Sequence, residues 1–296
     1  MPKQPDPELV DRLDRMRNGD LQSLMLEVMR QRAERQTPRD VRQAYERRFC
    51  LASDVDARAL HRVDSQLIAA AAAFDLVELS PVAPLGVCTA VAPCDPRKSI
   101  ATVRNLEVVS DSSNVLAIEA ARRRQSGATR VDLAASHRLL RTQPPENPDF
   151  RAHFRLFALC SMFPSRGSGR AELAALQQHL AVYEAAVGEL GGTIERVSVS
   201  SAGQPWAQIR HRLAESHLPV DDEDDRIGTN AYYQGLSFVV HVRTPAGPTL
   251  PLGDGGFTDW GAQLLNRAKE RTLVSAFGSE LLARFLAPAT DGEAPS

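Results

Sequence analysis

The residues best suited to chemistry fall in three short stretches. Gly253-Asp254-Gly255-Gly256, followed by Asp259, lies between a strand-like run over 237–242 and a small-residue strand that enters a helix over 274–284. Glycine pairs permit close approach of a ligand or a second backbone, and they also build a tight turn between strand and helix. The run Ser110-Asp111-Ser112-Ser113-Asn114 sets a carboxylate beside hydroxyls, the composition that caps a helix N-terminus. Arg141 closes a strand-like run over 137–141 and precedes a polar loop that contains Gln143.

Other reactive side chains read as structural. Cys50, Cys88, Cys94 and Cys160 include no CxxC pair and join no histidine cluster, so reduced thiols are expected rather than a zinc site. The acidic run over 221–225 reads as a solvated loop. His137, His153 and His241 fall on strand-like runs and read as satisfied structural residues. His153, beside the polar loop, is the one whose substitution would be most informative.

The elements that must position these groups follow from periodicity and caps. With 296 residues, 43% hydrophobic and 24% charged, and a net charge of −2, the chain has an ordinary globular composition that points to no partner class. No apolar run reaches the roughly 18 residues of a membrane helix, and no leader pattern begins the chain. A cytoplasmic protein without a membrane partner is therefore expected. Apolar residues at three- and four-residue spacing predict a helical extension over 1–50, with Asp20 as a restarting cap. Its arginines are interleaved with acids, which favours a solvated face over an RNA-binding arm.

Beyond it, Leu60, Val63, Leu67 and Phe74 define one helix face, and 76–85 reads as a short strand closed by Pro81 and Pro84. Strands are expected over 87–91 and 101–109, then a helix from the 110–114 cap. The runs 137–141 and 153–160 should pair antiparallel across the polar loop. A long helix over 169–190 ends at Gly191-Gly192, and 287–296 reads as a frayed tail. The expected fold is α+β: a mixed, mostly antiparallel sheet flanked by helices, drawn with the helices on one side. The expected domains are the extension 1–50, a core 51–290 and a disordered tail 291–296.

The order of these elements resembles motifs 1, 2 and 3 of the class II aminoacyl-tRNA synthetase catalytic core. The nearest group is histidyl-tRNA synthetase and the regulatory subunit of ATP phosphoribosyltransferase. The likeness covers about 54–286. Residues 73–84 resemble motif 1, with Pro81 in the proline place; in the family this helix and strand form the dimer interface, which implies a homodimer. The run 137–143 resembles the first strand of motif 2. There Arg141 matches the arginine that binds the α-phosphate of ATP, Gln143 stands for a glutamate and Phe154 lies on the returning strand, where Leu156 replaces a glutamine.

Asp111 and Ser113 resemble the glutamate and threonine that grip the substrate ammonium. Tyr232, Tyr233 and Phe238 match the tyrosine-pair signature, but Gly228 occupies the place of the arginine that acts on the histidine carboxylate, with Arg226 two positions away. Gly255, Gly256 and Asp259 resemble the GGxxD corner. Gly278 and Glu280 resemble motif 3, with Leu281 where the arginine that clamps the γ-phosphate belongs and Arg284 or Arg271 nearby.

The resemblance implies a pocket for ATP, with Mg2+ offsetting phosphate charge, and for an amino acid or small carboxylate. The catalytic residue is Arg141; the ATP site holds Arg141, Gln143, Phe154, Glu280 and Arg284; the substrate site holds Asp111, Ser113, Tyr232, Tyr233, Gly255 and Gly256; no resident metal site is expected. Adenylate formation is the first expectation. A ligand-sensing subunit that has lost chemistry and serves a partner enzyme is the alternative, motivated by the missing arginines. Histidine is not the expected substrate. Charging of tRNA is not expected, because the chain stops soon after motif 3.

Overall fold

The computed structural model describes residues 4–46, 49–143, 152–222 and 232–286. The extension forms α1 (Pro7–Asp14), α2 (Asn18–Glu34) and α3 (Pro38–Tyr45), none of which buries a residue. Asp20 sits inside the first turn of α2, its carboxylate bonded to Arg17 Nε at 2.9 Å, and is not the cap.

Helix α4 (Ala57–Ala70) starts at Asp56, whose carboxylate accepts from Arg58 N, and buries Leu60, Val63 and Leu67 as the periodicity predicts. The motif 1-like segment divides into β1 (Asp75–Leu76) and β2 (Val82–Pro84), the latter paired with β3 (Leu106–Val108) in a small second sheet. The strand expected over 87–91 is instead one wide helical turn, closed by Ala92 N donating to Val87 O. The reason is local. Gly86 takes φ 99°, and the buried Glu107 carboxylate accepts from Gly86 N at 2.9 Å and Cys88 N at 3.0 Å, so these donors need no strand partner.

Helix α5 (Ser112–Gln125) is capped by Asp111 as expected. Strands β4 (Val131–Leu140) and β5 (His153–Pro164) pair antiparallel and are longer than the sequence patterns suggest. After α6 (Arg170–Glu189) come three elements that sequence patterns did not single out: β6 (Thr193–Ser201), α7 (Trp206–Ala214) and β7 (Val220–Asp222). The chain continues through β8 (Leu236–Arg243), β9 (Thr249–Thr258), α8 (Trp260–Leu265), β10 (Glu270–Gly278) and α9 (Ser279–Phe285).

The main sheet has the order β1-β4-β5-β10-β9-β8-β6-β7 and is antiparallel except for β1–β4 and β6–β7. The α+β expectation holds, but helices cover both faces. On one, α4, α6, α7 and α9 bury Phe157, Leu159, Phe238 and Phe277; on the other, α5 and α8 bury Ala158, Cys160, Met162 and Val274. Strand β5 explains the two layers, since its apolar side chains alternate to both sides, a pattern that leaves neither face to solvent. Arg124 of α5 pins its helix to the sheet through a two-pronged bond to Glu270, Nε–Oε1 2.6 Å and Nη2–Oε2 2.9 Å, with both side chains buried.

The glycine stretch is not a corner. Gly253, Gly255 and Gly256 lie within β9, hydrogen-bonded between β8 and β10. An added Cβ at Gly255 would meet Phe238 Cζ at 2.6 Å and Ser275 Cβ at 2.5 Å; at Gly253 it would meet the Tyr183 ring at 2.3 Å. These two glycines make room for aromatic rings of the α6 face, so the tight-turn reading gives way to close side-chain approach.

Candidate functional site

Alternation along β9 turns Asp254, between the two glycines, to the opposite face. There a cleft of about 380 Å3 opens beside the N-terminus of α5, with Lys98, Asp111, Asn114, Arg141, Tyr232 and Asp254 among its walls. Arg141, Gln143, Asp111, Ser113, Tyr232 and Tyr233 all border it, which brings together six of the residues proposed from sequence although up to 122 positions separate them.

Two carboxylates and two phenols organise one wall. Tyr232 donates its hydroxyl to Asp111 Oδ2 at 2.6 Å, and Tyr233 donates to Asp254 Oδ2 at 3.1 Å. Burial, followed by the nearby Asp111 charge, holds the Tyr232 hydroxyl well above the usual phenol range, so it stays a donor. The two rings meet edge to face at 4.9 Å. Asp111 also accepts from Ser113 N at 2.8 Å, so the cap and the site share one carboxylate. Asn114, in the first turn of α5, is 1% exposed, and among the described residues neither atom of its side-chain amide has a hydrogen-bond partner.

Arg141 stands at the cationic end. Its Nε donates to Ser110 O at 3.0 Å and its guanidinium lies 5.2 Å from the centre of the Phe154 ring, which fixes the plane of the group. Lys98 lines the same cleft. Leu156 lines it too, at the place where the resemblance expects glutamine. Cys88 and Cys94 border it, but burial pushes both thiols up, so neither is poised as a thiolate nucleophile.

The remaining proposed residues lie elsewhere. Gly256 is beneath Tyr233, where a Cβ would meet the ring at 2.6 Å, and Gly255 faces the α6 side. Glu280 accepts from Arg138 Nη2 at 2.7 Å and from Ser53 Oγ at 3.1 Å, and Arg284 reaches Asp54 at 3.2 Å. Both belong to the α4–α9 side, as does Arg271, 3.6 Å from Glu172. Asp259 accepts from Gln234 and Gln263, each at 2.7 Å. His153 bridges Arg138 and Leu51 O and does not border the cleft. Gly228, Arg226, most of the polar loop after Gln143, and the tail fall outside the described residues.

The sequence patterns pass over Lys98, and they include Asp254 and Asn114 in the stretches they single out without giving either a role. Asp254 had one available signal, its isolation between glycines in a strand; for Lys98 nothing local separates it from a surface lysine. Among the described residues no three His, Cys, Asp or Glu side chains cluster as metal ligands, and no helix is long and apolar enough to cross a membrane.

No family model and no curated protein matches the sequence. Solved structures do. A protein described as an ATP phosphoribosyltransferase regulatory subunit/histidyl-tRNA synthetase from Bacillus halodurans aligns with TM-score 0.59 at 12% identity, covering 82% of this chain and 83% of that one. The apo histidyl-tRNA synthetase of S. aureus aligns at 0.58 and 12%, covering 82% and 71%. A histidine–tRNA ligase subunit from Alicyclobacillus acidocaldarius aligns at 0.57 and 13%, covering 79% and 94%. The fold is that of a class II synthetase-like core, as the motif order implies.

Proposed function

We propose that the protein binds an amino acid or similar small ammonium-bearing carboxylate in this cleft and activates it with ATP as an adenylate. One arrangement carries this reading: a Tyr-buttressed Asp111 in the same cleft as Arg141 and Lys98. A cation-accepting wall and an anion-accepting wall a few side chains apart suit a zwitterion joined to a phosphate. Arg141, held by Ser110 and Phe154, is the group to hold the α-phosphate and stabilise charge that builds there as the carboxylate attacks. Phe154 and Gln143 support that end. Mg2+ would arrive with the nucleotide, held mainly by its phosphates. The place of the substrate-carboxylate arginine holds Gly228, so histidine is not the substrate we propose.

A specific observation favours a second reading. Glu280 and Arg284 are engaged on the other side of the sheet, and Leu281, at the γ-phosphate position of the resemblance, packs against the core. A pocket without that clamp suits a ligand-sensing subunit that modulates another enzyme. In either reading a homodimer forms through the segment over 57–85, where Ile68, Leu76 and Leu85 are exposed.

Amino-acid-dependent exchange of pyrophosphate into ATP distinguishes the two. The first reading expects exchange with at least one amino acid, reduced about ten- to hundredfold in Arg141→Ala. Binding of an amino acid without exchange sinks the first and supports the second; absence of both binding and exchange sinks the pair. Light scattering of the purified chain at the mass of a monomer would remove the dimer.

A further inference from the structure

The exposed apolar side chains of this chain are confined to its first 85 residues. Among the described residues, every large hydrophobic side chain open to solvent lies before α4 or on the segment over 57–85. The first group includes Leu24, Val28, Val41 and Tyr45, at 40–58% exposure; the second is Ile68, Leu76 and Leu85, at 41–54%. On the extension they fall in turn-spaced pairs, Leu24 with Val28 on α2 and Val41 with Tyr45 on α3, which sets each pair on one helix face.

Length and charge narrow what covers that face. Helices α1 and α3 have eight residues each and bury nothing, below the roughly 12–15 residues at which a helix persists alone in water, so a packing surface must hold them. Residues 4–46 carry eight arginines against nine acids, and several of these meet within the extension, Arg30 with Glu27 at 2.7 Å and Arg42 with Glu46 at 3.4 Å. That balance offers little field to a nucleic acid or an acidic membrane, and leaves apolar contact as the means of association.

The second apolar surface of the same chain has the complementary need. A half-exposed aliphatic side chain offers roughly 50 Å2, so Ile68, Leu76 and Leu85 alone fall far short of the roughly 800 Å2 that each partner of a stable interface buries. With the extension added, the apolar area reaches about 500 Å2, close to the apolar share of such an interface. The chain's own fold leaves both surfaces open, although residues 51–54 are fastened beside α9. There His153 Nε2 is 2.6 Å from Leu51 O, Ser53 donates to Glu280 at 3.1 Å and Arg284 to Asp54 at 3.2 Å. Helix α9 packs on α4, so this anchor starts the extension next to the segment over 57–85, and α2 alone spans about 25 Å, enough to cross to a neighbouring copy.

We infer that the extension of one protomer lies on the surface over 57–85 of its partner, with Leu24, Val28, Val41 and Tyr45 against Ile68, Leu76 and Leu85, and that a two-fold axis makes the embrace reciprocal. The inference rests on the homodimer of the reading above and adds the arm that completes its interface.

Sedimentation equilibrium of the full chain measures the Kd of the dimer. Leu24→Glu with Val28→Lys places a favourable one-turn ion pair on α2, so the helix is kept while its apolar face is lost. Kd should rise roughly tenfold or more, with a near-ultraviolet dichroism spectrum matching the parent to show that the core is folded. A benzophenone amino acid placed at Tyr45, in a mixture of light and heavy isotope-labelled protein after subunit exchange, should capture peptides of 57–85 that carry the opposite label. A dimer whose Kd the double variant leaves within about twofold overturns the inference and leaves the homodimer standing. So does capture of 57–85 confined to the same label, which marks an extension folded onto its own chain, or no capture of 57–85 at all. A parent chain that stays monomeric at every concentration overturns both.

Discussion

The Tyr232 hydroxyl lies 2.6 Å from Asp111 Oδ2, joining residues 121 positions apart and tying the segment before β8 to the N-terminus of α5. Tyr232→Phe removes only the hydroxyl and keeps the edge contacts of the ring with Tyr233 and Trp260. A hydrogen bond to a charged acceptor contributes about 1.5–3 kcal/mol, and Asp111 keeps its bond from Ser113 N, so a loss near the lower value is expected. Urea denaturation with an unchanged slope and a lower midpoint checks it.

The glycines of β9 make a second prediction. At Gly256 an added methyl would fall 2.6 Å from the Tyr233 ring and 2.8 Å from Leu236 O, and at Gly255 it would fall 2.6 Å from Val274 O. Backbone atoms cannot yield, so Gly255→Ala and Gly256→Ala should each cost about 1–3 kcal/mol or more. Gly19, near the start of exposed α2, meets nothing within 4 Å. Gly19→Ala should leave stability equal or slightly raised, which makes it the control.

The Arg124–Glu270 pair should behave as a buried ion pair. Arg124→Met leaves Glu270 buried without its partner, and a loss of about 3–5 kcal/mol is expected. Adding Glu270→Leu should recover most of that loss, because the desolvated charge is then gone. A double-mutant cycle by chemical denaturation reads the coupling directly.

Stability should rise with pH across the weakly acidic range. His179 is fully buried between Ser161 Oγ at 2.9 Å and Ser275 Oγ at 2.8 Å, and burial, then the Arg130 charge, lowers its pKa from the ordinary 6.5 to about 3. Between those values the unfolded chain binds a proton that the folded chain lacks. The histidine's contribution is therefore complete above about pH 6.5 and is lost as pH falls towards 3, by up to about 1.4 kcal/mol per pH unit. Burial lowers His137 in the same direction. His179→Gln should flatten the slope measured by denaturation at pH 4, 5, 6 and 7; an unchanged slope would assign it to other groups.

Signals that act over a few residues were readable without coordinates. Asp111 as a cap, the apolar face of Leu60, Val63 and Leu67, the β4–β5 pair, and Gly191-Gly192 after α6 all depend on neighbours in the chain, and the order of the motifs carried the α+β fold and the likeness to synthetase cores. The segment over 87–91 was misread because a distant carboxylate, Glu107, supplies the partners that a strand would have needed.

What the amino-acid order determined was most of the elements, and which residues to look for as one candidate site: Arg141, Asp111 and the tyrosine pair, which the fold does bring to one cleft. Only the tertiary structure decided which side of the sheet each side chain meets. Successive strand residues point to opposite faces, so one step in register separates Asp254, in the cleft, from Gly255, under Phe238. The seating of α9 against α4 likewise directs Glu280 and Arg284 towards Arg138 and Asp54. That choice is made by packing between elements far apart in the chain, here the rings of Tyr183 and Phe238 against β9, and no pattern of neighbouring residues encodes it.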